Sequence, residues 1–99
     1  MDNRDLLLSM QRALLGGVIS PLRAVIVGKR EQEISIKFVV ERNLDGDESE
    51  ILDMVVTEIA SDYPLENIKE EIYVSDQKSN QFVGSNEILA FLRHEGDQS

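Results

Sequence analysis

Leu22-Arg23-Ala24-Val25-Ile26-Val27-Gly28-Lys29-Arg30-Glu31-Gln32-Glu33-Ile34-Ser35-Ile36-Lys37-Phe38-Val39-Val40 is the stretch whose reading decides the fold. The run from Leu22 to Gly28 is rich in β-branched residues, and after Lys29-Arg30-Glu31-Gln32 the apolar residues Ile34, Ile36, Phe38 and Val40 alternate. Together they read as a β-hairpin. Ser35, Lys37 and Glu41 fall on the other face of its second strand, so one side of the sheet is wetter than the other.

Upstream, Leu6, Leu7, Met10, Ala13 and Leu14 recur at spacings of three and four, the mark of an amphipathic helix over about residues 3–15. Asp2 or Asn3 can cap its start, Gly16-Gly17 can supply a left-handed stop, and Pro21 closes the connection.

Downstream, Asn43-Leu44-Asp45-Gly46 reads as a turn, and Asp47 with Glu50 three residues later resembles a capping box. The second helix is expected to run to about Asp62, with Leu52, Val55, Val56, Ile59 and Tyr63 inward and Glu50, Asp53, Met54, Thr57, Glu58 and Ser61 outward. Pro64 ends it.

A third strand is expected over about residues 67–75, where Ile68, Ile72 and Val74 alternate with polar residues. Glu70 interrupts the apolar parity and is expected near the strand start, in reach of water. Residues 76–86 read as a polar loop. Ile88 to Leu92 read as a last strand, with a short helix over 87–94 the alternative, and residues 95–99 read as a frayed tail.

The expectation is thus a single α+β domain over residues 1–99. Its element order is αββαββ, with a four-stranded, largely antiparallel sheet and two helices on one face. Ninety-nine residues with 41% hydrophobic and 29% charged content suit one core. With no cysteine, packing alone must hold the fold. The amino-terminal stretch fits neither a secretory signal nor a membrane span, which points to the cytoplasm.

The net charge of −9 is concentrated. From Glu41 to Glu71 there are eleven acids against two bases, Arg42 and Lys69, and the rest of the chain is neutral. Such a field repels nucleic acid and anionic membrane and steers a basic protein inward.

Enzyme chemistry finds little support. The only histidine is His94, and no nucleophile–base pair is evident. The loop from Asn43 puts Glu48 where an EF-hand needs glycine and Met54 where it needs its bidentate glutamate, so no metal is expected. The glycines lack phosphate-loop and dinucleotide spacing, so no cofactor is expected either. Arg23, Lys29, Arg30 and Lys37 form the nearest approach to a basic stripe and read better as a rim or as counter-charges.

The candidate partner-binding residues are therefore Asp45, Asp47, Glu48, Glu50, Asp53, Met54, Thr57 and Glu58. The acids would steer a basic partner and Met54 would add a flexible apolar contact. A solvated helix face is the competing reading.

The segments Gln11-Arg12-Ala13-Leu14-Leu15-Gly16, Leu22-Arg23-Ala24-Val25, Glu58-Ile59-Ala60-Ser61-Asp62-Tyr63-Pro64 and Ile68-Lys69-Glu70-Glu71-Ile72 resemble small bacterial immunity proteins of contact-dependent growth inhibition. The resemblance spans Gln11 to about Ile72. It implies a cytoplasmic, non-catalytic inhibitor of the toxic carboxyl-terminal domain of a delivered effector, often a nuclease. The alternative is a structural or adaptor module that self-associates as a homodimer, or joins an assembly, through its sheet edge or its wet face of Arg23, Lys37, Glu71 and Tyr73.

Overall fold

The computed structural model describes residues 4–15 and 17–93. The expectations for the Asp2 or Asn3 cap, Gly16, His94 and the tail 95–99 lie outside the described residues.

The elements follow the expected order: α1 (Arg4–Leu14), β1 (Leu22–Arg30), β2 (Glu33–Val40), α2 (Gly46–Asp62), β3 (Asn67–Val74), a short 3-10 turn (Ser79–Phe82) and β4 (Glu87–Leu92). Residues 87–92 are a strand, which settles the alternative of a short helix. The sheet order is β3-β2-β1-β4. β1 pairs antiparallel with both β2 and β4, whereas β2 and β3 are parallel. A parallel pair needs a crossover, and α2 is that crossover.

The hairpin is tighter than the sequence suggested. Arg30 pairs with Glu33, which leaves Glu31 and Gln32 as the two-residue turn, with Glu31 at φ 58°. A left-handed residue matches the sheet twist in such a turn.

Two layers of side chains follow from the pleat. On the helix-covered face, Val25 and Val27 of β1 and Ile34, Ile36, Phe38 and Val40 of β2 are fully buried. They pack with Leu6 and Met10 of α1 and with Leu52, Val55 and Ile59 of α2. On the opposite face, Ala24, Ile26 and Val39 form a second small cluster, closed by Phe82 and Val83. The stretch 76–86 is therefore a polar loop that carries an apolar lid, a second core that no periodicity in the sequence marks.

That lid alters the wet face. Arg23 is buried, and its guanidinium donates to the Ser75 carbonyl at 2.5 Å. Lys37 donates to the Phe82 carbonyl at 2.9 Å and to Glu87 Oε1 at 2.7 Å. Tyr73 stacks at a tilt on Phe82, with ring centroids 5.1 Å apart.

Two local expectations are corrected. The capping box of α2 uses Asp45 and Glu48 in place of Asp47 and Glu50. The same spacing occurs twice in Asp45-Gly46-Asp47-Glu48-Ser49-Glu50. The earlier copy is selected because Leu44 packs against the core just before it and Arg42 holds Glu48. Glu70 sits mid-strand opposite Ile36, and it reaches water because β3 is an edge strand.

Candidate functional site

α2 presents the candidate face because its amphipathicity leaves one side exposed among the described residues. Leu52, Val55 and Ile59 are buried, while Glu50, Asp53, Met54, Thr57, Glu58 and Ser61 are exposed. Pro64 follows the end of the helix, where the Tyr63 N–H still bonds the Ile59 and Ala60 carbonyls.

The eight sequence-selected residues divide into two groups. Asp45 and Glu48 perform structural work. Asp45 accepts the Glu48 N–H at 2.8 Å, and Glu48 accepts the Asp45 N–H at 3.1 Å. Arg42 also grips both Glu48 oxygens, at 2.8 and 2.7 Å. The Arg42 hydrogen bond and then the backbone bond to Asp45 hold the Glu48 carboxyl below the usual carboxylate range. Part of the charge counted in this segment is therefore neutralised locally.

Asp47, Glu50, Asp53 and Glu58 differ. Among the described residues none of the four carboxylates forms an ion pair or accepts a hydrogen bond, and all four residues are exposed. Asp47 lies in the first turn of α2, where the helix dipole favours an acid. Thr57 returns its hydroxyl to the Asp53 carbonyl at 2.9 Å.

Beside this crest lies a groove of about 560 Å³ between the helices, lined by Arg12, Ala13, Gly17, Ile51, Met54, Val55, Thr57 and Glu58. Three of the selected residues, Met54, Thr57 and Glu58, thus border a concavity that sequence periodicity did not reveal. Gly17 shapes it. A Cβ there would stand 2.4 Å from Val55 Cγ2, so this glycine permits close approach of the α1–β1 connection to α2; a left-handed stop is not its role. Met54 is 63% exposed, and Leu15 and Val18, on either side of Gly17 in sequence, are also exposed. The far end of the helix pair is tied by Asp62, which accepts from the Ser9 hydroxyl and from Arg12 at 3.1 Å.

A second concavity, of about 320 Å³, lies on the opposite sheet face around Ser35, Lys37, Glu71, Tyr73 and Glu87. Its central charges are paired. Glu87 accepts from Lys37, from Ser35 at 3.0 Å and from the Gly84 N–H at 2.7 Å, and Glu71 accepts from Tyr73 at 2.7 Å. This is how a lid is fastened, and among the described residues no group of histidine and carboxylate side chains is arranged to hold a metal.

The α2 face thus sets four carboxylates that have no partner among the described residues beside a largely apolar groove, an arrangement whose available chemistry is electrostatic and apolar contact. No helix among the described residues is long and apolar enough to cross a membrane. A search of curated proteins finds no match. The family model of the MafI2 immunity protein matches residues 3–95, nearly the whole chain.

Proposed function

The chain belongs to the MafI2 immunity protein family, and from that premise we propose that it neutralises its cognate toxin by docking the α2 face on a basic surface of the toxic domain. The family implies a toxin-neutralising inhibitor in place of an enzyme, with a toxin as partner. The contact-dependent setting, the delivered carboxyl-terminal toxin domain and the cytoplasmic meeting place belong to this proposal.

One observation carries the reading. Within the most acidic part of the chain, the carboxylates of Asp47, Glu50, Asp53 and Glu58 form no ion pair and accept no hydrogen bond among the described residues, whereas those of Asp45 and Glu48 do. Carboxylates without such bonds remain available to steer and pair with Lys or Arg of a partner. Met54 and the groove beside it would take an apolar side chain at the centre of the contact, where most interface energy concentrates. Asp45 and Glu48 would then support the site indirectly, by fixing where the helix begins.

If the toxin is a nuclease, its substrate channel is basic, and the acidic face would compete with nucleic acid for it. The test is an activity titration of the purified cognate toxin with this protein at rising concentrations of a non-cleavable nucleic acid. Competitive behaviour supports occlusion of the substrate channel; inhibition indifferent to the nucleic acid would place the contact elsewhere on the toxin.

A further inference from the structure

Among the described residues no strand pairs with the outer edge of β3, and that edge carries a pattern that none of the preceding roles absorbs. Asn67 donates its N–H to the Gln32 carbonyl at 2.8 Å, and Ser75 donates to the Val40 carbonyl at 3.0 Å. Residues of this odd parity face β2, so Ile68, Glu70, Ile72 and Val74 turn their backbone groups outward. β3 ends the sheet, and Ile72 and Val74 are 43% and 51% exposed.

The outward segment Ile68-Lys69-Glu70-Glu71-Ile72 reads as its own complement when reversed. Set antiparallel to a second copy with Glu70 opposite Glu70, it pairs Ile68 with Ile72 twice on the helix-covered side. It also pairs Lys69 with Glu71 twice on the other side, in the closely spaced positions of the ladder that lack hydrogen bonds. Other registers allowed by the outward groups lose this match. Centring on Lys69 or on Glu71 sets like charges face to face, and centring on Ile72 leaves Lys69 opposite Ser75.

We propose that β3 is a self-pairing edge: two copies of this chain join antiparallel through Ile68–Ile72 with Glu70 on the two-fold axis, making one eight-stranded sheet. Glu70 controls the equilibrium. Across the axis it meets Glu70 of the second copy. Its own α2 contributes Asp53, and the neighbouring β2 residue, Ile36, is uncharged. Burial, and then the Asp53 charge, already push the Glu70 carboxyl above the usual carboxylate range. Ionised, the two carboxylates hold the edges apart, which is how an inward-facing acid guards an edge strand. A shared proton lets them bond.

Sedimentation of the whole protein tests the equilibrium. The wild-type dimer should tighten as pH falls, by up to about tenfold per pH unit while each association takes up one proton, because the Glu70 carboxyl already lies above its ordinary range. Glu70→Gln should dimerise at neutral pH with little pH dependence. Disulfide trapping tests the register in the cysteine-free chain: a mixture of Lys69→Cys and Glu71→Cys should cross-link, and neither variant alone should. A Glu70→Gln protein that stays monomeric, or cross-linking of Glu71→Cys with itself, would overturn the proposal.

Discussion

Lys37 Nζ lies 2.7 Å from Glu87 Oε1, although β1 runs between the strands that carry them. Both side chains are less than one-fifth exposed. Burial works against the Glu87 charge, but Lys37, the Gly84 N–H and Ser35 outweigh it and hold the carboxyl below the usual range. The pair crosses β1, and through the Phe82 carbonyl on Lys37 and the Gly84 N–H on Glu87 it fastens the 76–86 lid to the sheet. Replacing Lys37 by Met would leave that carboxylate short of its cation and should cost about 1–3 kcal/mol. Glu87→Gln should cost a similar amount, and the double variant less than the sum, as read by urea denaturation.

The bridge passes over Gly28, which has no side chain to obstruct it. A Cβ at Gly28 would stand 2.6 Å from the Asn86 carbonyl oxygen and 2.8 Å from Glu87 Cγ. The nearer contact is backbone, so the chain entering β4 must shift. Gly28→Ala is expected to lose about 1–3 kcal/mol, with the amide signals of residues 84–88 moving most in an NMR comparison.

The fold was legible where one periodicity dominated. The alternation Ile34, Ile36, Phe38, Val40 and the α2 stripe Leu52, Val55, Ile59 have the burial their spacing implies, and Pro64 follows the helix end as expected. Legibility failed where the decisive neighbour was distant in sequence. Phe82 and Val83 have no repeating pattern of their own, and only the second face of β1, which they cover, explains their partial burial. The Asp45 cap and the later alternative look alike in sequence; Arg42 and Leu44 decide between them in space. The acids on α2 were readable as a face, but the groove beside them needs Gly17 from another element, and no local pattern announces such a meeting.

Phe38 and Ile59 are fully buried in the main core. Truncation to Ala should cost about 2–5 kcal/mol for Ile59 and about 3–5 for Phe38, measured by denaturant midpoint. Slow amide exchange at both positions in the wild type is the companion expectation.

Acid should act on this protein with two signs. Glu48, Asp62 and Glu87 have folded-state values below their unfolded ones. Their contributions are present above the ordinary carboxylate range and are lost as pH falls through the depressed folded values. Glu70 is raised, so its contribution is present below that range and is lost as pH rises through the raised value. Glu70→Gln should therefore raise the urea midpoint at neutral pH, and the gain should vanish in acid. A dilution low enough to keep the chains monomeric isolates this effect from self-pairing.

Association kinetics with the cognate toxin test the central claim most directly. Asp47, Glu50, Asp53 and Glu58 would be replaced together by Lys, with circular dichroism confirming an unchanged fold. The account predicts that wild-type association slows as salt rises. The variant should associate about 10–1,000-fold more slowly at low salt and lose that salt dependence. Equal rates and equal salt slopes for the two proteins would contradict it.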